Sequence, residues 1–554
     1  MGKLAALDYI SMGIYLALMA GVGSFFGWFI KDIKGYFSGG NTIPWGISAV
    51  SNFMGSLSTF VFIAYAGIAY TDGLVGVTVL WGATLPFLFA ALVIGKKWVR
   101  SRILTPVEYL ETRFNNNIRQ LFSWTGLGMR FLDNMVRQYA MGIFLTAATD
   151  LDFVTAIVLS GAVTTLFTIV GGVWAVVVMD TLQFIILVFV SVLLVPLSLN
   201  AAGGLGTLMT KLPEHFHWFN GPKGQPTWLL VYYLMLLLKY NGNWVFIQRF
   251  YSVKDEAATR KLGFLSAALL FVFPIIFLLP AIAAADILPG LEDPEQAYVA
   301  LAVQLLPAGL LGLMIAAMFS ATMSSLNSEF NVMSAVLTND IYKRLINPDA
   351  TEKQLILVAR LNIVLVGIIV VGGSLFIGRL GSAFEANKLL TGLFAIPLAI
   401  PLVLGLLFRK TNAIGAFFTV LTGFVAGLVF NLNGSLSWEM ATLLQIIACT
   451  VVFFLSGYLL ASPEAYRERV AAFFAKIDRP LSAAEIGESD PAFTFALSNL
   501  FSIAIFASGV LFSAMSLPSV NLLSGRIALL IGLVCILLSA AVKWGFTGTF
   551  RFKN

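Results

Sequence analysis

The feature that most constrains this chain is a long succession of apolar runs, each of a length that can cross a bilayer. A hydrocarbon core takes about 20 apolar residues per helix. By that measure the sequence predicts fifteen spans, near 7–29, 43–70, 75–96, 118–148, 152–171, 174–200, 227–251, 263–288, 308–339, 355–378, 385–408, 412–432, 438–461, 493–516 and 522–545. Backbone amides in lipid must pair within their own segment, so runs of this length are helices. Of the 554 residues 59% are hydrophobic and only 11% charged, against roughly 25% charged in a soluble domain. Lipid is therefore the solvent for much of this surface. The first run follows Asp8 and lacks the basic segment and small-residue cleavage site of a signal peptide, so it reads as a retained helix. Cys449 and Cys535 sit inside apolar runs, which predicts free buried thiols.

The basic residues order the topology. With the N-terminus outside, the inside loops hold Lys31 and Lys34; Lys96, Lys97, Arg100, Arg102 and Arg113; Arg249, Lys254, Arg260 and Lys261; Lys343, Arg344 and Lys353; Arg409 and Lys410; and Arg467, Arg469, Lys476 and Arg479. The outside loops hold Asp72, Asp150, Asp152, Glu292, Asp293 and Glu295. The alternation survives every crossing, which predicts an odd span count with the N-terminus out and the C-terminus in. The net charge of +6 is spent on this pattern, so no nucleic-acid partner is expected. His215 and His217 share one external loop, and two histidines alone fall short of a transition-metal ligand set.

Polar residues inside lipid are costly and mark either a pathway or a packed interface. Gly55, Ser56, Ser58 and Thr59 interrupt the second span, where they permit either a helix break with free carbonyls or close helix packing. Lys239, Tyr240, Asn241, Gly242 and Asn243 form a polar knot in the seventh span, either a second break or a kink. Asp180 stands alone in the sixth span with no basic residue near in sequence, which favours a cation or a set of hydroxyls as its partner. In the ninth span Ser320, Ser324 and Ser328, with Ala321 and Ser325, recur every four residues and share a helix face. Hydroxyls and carbonyls suit a hard monovalent cation, by the oxygen-ligand logic of calcium and magnesium; tight helix packing explains the same stripe. In the fourth span Arg130, Asp133, Asn134 and Arg137 share one face. Pairing of Arg130 with Asp133 there leaves Arg137 free for an anionic solute.

Taken together, the sequence resembles the sodium:solute symporter family. The pieces are GGVWAVVVMDTLQ at 171–183, AAMFSATMSSLNS to DIYKR at 316–344, TPVEYLETRF at 105–114, NWVFIQR at 243–249 and GLLFRKTN at 405–412. The resemblance covers about residues 7–461. It implies a leucine-transporter-like five-plus-five inverted repeat within an all-α polytopic membrane protein, with extra helices and about fifteen spans in all. The expected organisation is an N-terminal extra helix and loop (1–42), a first repeat (43–200), an external loop (201–226), a second repeat (227–411), two further helices (412–461), a cytoplasmic linker (462–492) and two C-terminal helices (493–554). Span two begins inside and span seven outside, so the two units are inverted.

The resemblance also implies sites. The main sodium site falls on the carbonyls of Met54, Leu57 and Ala321 and the hydroxyls of Ser324 and Ser325. A second falls on Asp180, Ser325, Asn327 and Ser328. Substrate contacts fall on Ser56, Ser58, Thr59, Trp81, Arg137, Tyr240, Asn243 and Thr391. Asn243 matches a sugar-contacting position, but at the other contact positions of the sugar carriers this chain has Leu80 or Trp81, Leu270 and Thr391. Sialic acid carriers use hydroxyls of the first broken helix and an arginine of the fourth span, which Ser56, Ser58 and Arg137 or Arg130 match. The expected function is sodium-coupled symport of a small polar solute, a sugar, sugar acid or relative, by alternating access. Its expected partners are the solute, sodium ions and membrane lipids, in the cell membrane, with no obligatory protein partner evident. The alternative is a sodium-coupled carrier of an amino acid or monocarboxylate. A membrane enzyme lacks an intramembrane histidine to work with, and a non-transporting sensor expects a soluble signalling domain after the last span.

Overall fold

The computed structural model describes residues 4–27, 32–380, 383–432, 436–486 and 491–551, which are all-α. Lys31, parts of the expected N-terminal unit (1–3 and 28–31) and part of the expected linker (487–490) lie outside the described residues. Among the described residues ten helices are long and apolar enough to span a membrane alone, and two bent pairs raise the number to as many as twelve. That is fewer than the fifteen runs of the sequence. The second and seventh runs are helical but divided into pieces too short to cross alone, while the fourth is one continuous helix, Asn116–Ala148, too polar to qualify by itself.

The first helix, α1 (Ala6–Gly27), packs against the protein interior, and its buried Asp8 has a definite task. The Oδ1 atom accepts from the backbone N–H groups of Gly309 (2.6 Å) and Gly312 (2.8 Å), capping a central helix at its positive end. The second run divides into α2 (Trp45–Ser56) and α3 (Val61–Asp72), bent by 59°. Helix α4 (Val75–Ser101) follows, then α5 (Asn116–Ala148) and α6 (Phe153–Ile169), which turn back on one another by 120°. Helix α7 (Gly172–Ala201) continues from α6 across Gly172, whose φ of 52° and ψ of −164° suit only glycine.

The seventh run divides into α8 (Pro226–Asn241) and α9 (Trp244–Ser252). Asn243 is extended between them (φ −77°, ψ 126°), and its side-chain oxygen accepts from Val245 N–H (2.8 Å), capping α9. Gly242 is required by proximity, since a Cβ there would lie 2.8 Å from the Cβ of Ala399. Next come α10 (Glu256–Ile287), α11 (Leu310–Ile346), α12 (Glu352–Arg379) and α13 (Asn387–Leu404). Helices α14 (Ala413–Leu432) and α15 (Trp438–Leu459) pair with each other. After the short α16 (Glu464–Asp478), α17 (Pro491–Ser516) and α18 (Leu523–Arg551) form a hairpin, and Phe512 of α17 meets Phe189 of α7. Helix α11 is the centre of the molecule. Every residue from Leu310 to Ala335 is buried.

The stretch expected as a linker contains a helix that packs. In α16 the buried side chains are Val470, Phe473, Phe474 and Ile477, spaced as one helix face. Asp478 accepts from Lys97 (2.5 Å) and Arg409 (2.9 Å), while Arg100 Nη1 donates to its backbone carbonyl (2.8 Å). Arg113 donates to the hydroxyl of Tyr466 (2.9 Å). Basic residues from separate crossings thus meet at one end of the molecule, as the charge alternation requires.

Candidate functional site

Two polar layers lie against α11, one at the break of α2–α3 and one between α5, α8 and α13. The first begins where α2 ends. Leu57 leaves the helix with extended backbone (φ −99°, ψ 154°), its N–H bonded to Met54 O at 3.0 Å. The chain is pinned to α11 two residues on: Thr59 N–H donates to Thr322 Oγ1 (2.7 Å), and the two threonine hydroxyls lie 2.8 Å apart. The structure therefore fixes Thr59 on the turn of α11 that holds Ala321, Ser324 and Ser325, with Met54 and Leu57 at the helix end just before it. The two serines have spent their protons elsewhere. Ser324 Oγ donates to Asp180 Oδ1 (2.5 Å) and Ser325 Oγ to Thr322 O (2.9 Å). A hydroxyl that donates its only proton keeps lone pairs for a cation. Buried hydroxyls and helix-end carbonyls of this kind suit a monovalent ion. Among the described residues no group of three or more His, Cys, Asp or Glu offers a transition-metal site.

Asp180 has a partner that distance in sequence conceals. Ser51 donates to its Oδ2 (2.5 Å), and Arg249 Nη2 stands 3.8 Å from the same oxygen. Arg249 is fully buried and also donates to Ser51 Oγ (2.8 Å), Gln248 Oε1 (2.6 Å) and Ser328 Oγ (2.7 Å). The sequence reading left Asp180 to a cation or hydroxyls, because no basic residue lies near it in the chain; the fold supplies a guanidinium. The expected second sodium set is changed accordingly. Ser328 faces Arg249, and Asn327 turns away to Thr168 (2.7 Å). Only Ser325 and Asp180 of that set stay beside the first layer.

The second layer is a cluster of five charges, four of them buried and Arg137 partly so. Arg137 pairs with Asp133 (3.0 Å), one turn away on α5. Lys239, from the end of α8, reaches Asp133 (3.4 Å), Asn387 (3.1 Å) and Thr391 (2.9 Å), and Asn387 donates to Asp133 (3.2 Å). Arg130 pairs with Glu329 of α11 (3.3 Å), which also accepts from Asn243 (3.2 Å) and lies 4.0 Å from Arg137. The expected Arg130–Asp133 pair is therefore replaced. Arg130 is drawn to α11, and Arg137 is held by Asp133 and is not free. Such pairs offset the cost of burial only when their remaining donors and acceptors are satisfied, and Asn243, Asn387 and Thr391 serve that purpose. Among the described residues, Glu329 Oε2 has no hydrogen-bond donor.

Ser56, Ser58, Arg137, Lys239, Tyr240, Asn243 and Asn387 converge on one narrow cavity of about 40 Å³ between the layers. Thr391 joins through Lys239. Trp81 does not join. It stacks on Phe271 and Trp218, its indole N–H bonded to Phe271 O (2.7 Å). Thr59 faces α11 and not this cavity. Lys239, Asp133, Glu329 and Asn387 were missed as site residues. The first two were visible as intramembrane charges; the others gained meaning only from their neighbours in space.

A sequence profile described as the sodium:solute symporter family matches residues 36–423. A sodium/glucose cotransporter of Vibrio parahaemolyticus is 26% identical over 472 residues, covering 77% of this chain and 85% of that protein. A sodium/myo-inositol cotransporter 2 of Bos taurus is 30% identical over 455 residues, 72% of this chain and 65% of that one. In three dimensions the fold matches a substrate-bound, outward-open sodium-coupled sialic acid symporter with a TM-score of 0.74 at 23% identity, over 82% of this chain and 98% of the other.

Proposed function

This chain belongs to the sodium:solute symporter family, and we propose that its own solute is a monoanionic, hydroxylated organic acid of the sugar-acid class. Sodium is the coupling ion, the protein is a multi-pass membrane transporter, and it performs no covalent chemistry. The observation that carries the substrate reading is the charge count of the central cluster. Arg130, Arg137 and Lys239 face Asp133 and Glu329, so three cations stand against two carboxylates among the described side chains. A buried charge excess of this kind is costly unless a ligand neutralises it. One carboxylate on the solute does so, and Ser56, Ser58, Asn243 and Asn387 supply hydrogen bonds for its hydroxyls. The named relatives carry glucose, myo-inositol or sialic acid; the excess positive charge favours the acidic end of that range.

The working cycle is alternating access between inverted repeats at 43–200 and 227–411, with the N-terminus outside and the C-terminus inside. The positive-inside pattern supports that orientation. Sodium on Met54, Leu57, Ala321, Ser324 and Ser325 joins the α2–α3 break to α11, and through that joint orders the cavity above it. The arrangement of Asp180 favours a role as the counter-ion of Arg249 that holds Ser324 in place. A monoanion moving with one sodium carries no net charge. Drawing on the membrane potential, worth about 2.3 kcal/mol per charge per 100 mV, then takes a second sodium.

Uptake into proteoliposomes tests this reading, with a panel of sugar acids, neutral sugars, inositols, amino acids and monocarboxylates offered under a sodium or a potassium gradient. Sodium-driven accumulation of a sugar acid, competed weakly by its neutral analogues, is expected. Sodium-driven uptake of a neutral sugar that no acid competes with would overturn it.

A further inference from the structure

At the end of the molecule where the basic loops meet, α16 and the turn after α4 enclose a second polar cavity. Its volume is about 340 Å³, within the ~300–1,000 Å³ of small-molecule sites. Its charged lining is Arg102, Arg469, Lys476 and Glu108, joined by Thr112 and the backbone at Ser101. Three cations against one carboxylate leave an excess of two positive charges. Arg102 carries the argument. It ends α4 in the left-handed region (φ 49°, ψ 44°), a conformation that disfavours a side chain and that marks functional positions when the surroundings enforce it. Its Nη2 donates to the carbonyls of Lys254 (2.8 Å) and Glu485 (2.7 Å), which fixes the guanidinium. Its Nε and Nη1 are buried and meet no acceptor among the described residues.

The nearby carboxylates are otherwise engaged. Glu485 pairs with Arg479 (2.6 Å), Glu256 with Arg100 (2.9 Å), and Glu108 Oε2 accepts from Leu104 N–H (2.6 Å). Asp255 caps its own helix through Ala258 N–H (2.7 Å). Opposite Arg102, Lys476 uses one donor on Ser101 O (2.9 Å), and Arg469 uses Nη2 on the Phe114 carbonyl. Each keeps further N–H groups for a ligand. A charge excess of two, with unused N–H donors on Arg102, Arg469 and Lys476, suits a tetrahedral dianion. A phosphate monoester carries about −1.5 to −2 at neutral pH and three acceptor oxygens.

We propose that this cavity is a binding site for a phosphate monoester, supplied either by a soluble phosphate or by the headgroup of an anionic lipid. The bound anion bridges the α4 end to α16, two elements from opposite ends of the chain, and so tightens the closure of this face. The substrate reading given above is not needed for it.

The test uses the full-length protein at fixed sodium concentration and ionic strength. Thermal unfolding is followed in detergent as chloride is replaced by inorganic phosphate. It is then repeated in phosphatidylcholine vesicles with or without phosphatidic acid. A saturable rise in Tm is expected with one source or both, and the arm that responds identifies the source. Phosphate also stabilises proteins by exclusion from their surface, so the variants decide. Arg102→Gln and the exposed-site Lys476→Gln should each raise the half-saturating phosphate or phosphatidic acid content about ten-fold, equivalent to about 1.4 kcal/mol. Lys353→Gln, outside the cavity lining and its neighbouring ion pairs, should leave it unchanged. If Arg102→Gln does not fold, Lys476→Gln carries the test alone. No saturable rise in either arm, or a rise equal in Lys476→Gln and the parent protein, overturns the proposal.

Discussion

Replacing Arg137 by glutamine is the sharpest probe of the central cluster. The side chain lines the cavity and donates to Asp133 at 3.0 Å. Its loss does not strand Asp133, which keeps Lys239 at 3.4 Å and Asn387 at 3.2 Å. The substitution therefore spares most of the folding energy while removing the excess positive charge. A hydrogen bond to a charged group is worth about 1.5–3 kcal/mol net, and 1.36 kcal/mol is about one decade. The KM for an acidic solute should thus rise about ten- to hundred-fold. The measurement is sodium-driven uptake into proteoliposomes of the transported acid and of its neutral methyl ester. The discriminating quantity is the ratio of the two KM values, which should fall toward one in the variant because only the acid loses a charge partner. Parallel changes for acid and ester, or an unchanged KM for the acid, would refute the argument that this cluster selects a carboxylate.

Four further outcomes follow from other contacts. Ser324→Ala and Ser325→Ala should each raise the sodium concentration for half-maximal uptake several-fold; unchanged sodium dependence in both removes these hydroxyls from the ion site. Thr322→Val keeps the shape but leaves Thr59 N–H without its 2.7 Å acceptor, and should cost about 1–3 kcal/mol in thermal stability together with a higher sodium requirement. Arg249→Met leaves the Asp180 carboxylate buried without a cation and should destabilise by about 3–5 kcal/mol; Arg249→Met with Asp180→Asn should recover much of that, and failure to recover would deny the pairing. At Asp478, burial pushes the carboxyl pKa up, but Lys97 and Arg409 outweigh it and hold it below the ordinary range. A depressed acid pKa stabilises above the unfolded value and the gain is lost as pH falls through the folded one, so proteolysis within α16 should increase below about pH 4; cleavage independent of pH would show that the ion pairs do not hold the helix.

The parts of the fold that depend on one-dimensional pattern were legible in the sequence. Run lengths gave the helices, and the glycine and hydroxyl interruptions at 55–59 and 241–243 fall where the helices divide. The periodic serines of 320–328 marked the face of α11 that meets Asp180 of α7 and Arg249 of α9. What was not legible depends on residues brought together from far apart in the chain. Asp180 and Arg249 lie 69 positions apart, Arg130 and Glu329 199 apart. Proximity in sequence suggested an Arg130–Asp133 pair, but helix geometry set Asp133 against Arg137 and left Arg130 to α11. Trp81 was placed at the site by register alone; the fold instead stacks it on Phe271 and Trp218. The amphipathic face of α16 was written in the chain at 470, 473, 474 and 477, but its polar content read as linker.

The complete burial of Leu310–Ala335 in α11 bears on how the protein is made. It is the least apolar of the ten spans that qualify alone, and it carries Ser324, Asn327, Glu329 and Asn331, all buried. A segment entering the bilayer by itself is admitted for its own apolarity, and each central acid raises the barrier by about 2.5–3.5 kcal/mol. Helix α11 fits that route poorly. The partners of its central polar residues, however, are synthesised first: Thr59, Arg130, Asp180, Asn243 and Arg249 precede residue 310 in the chain. Membrane integration of α11 is thus a docking step onto helices already in place. A substitution at Arg249 or Arg130 should therefore show itself first as a biogenesis defect, with less protein in the membrane, before any change in the kinetics of what remains.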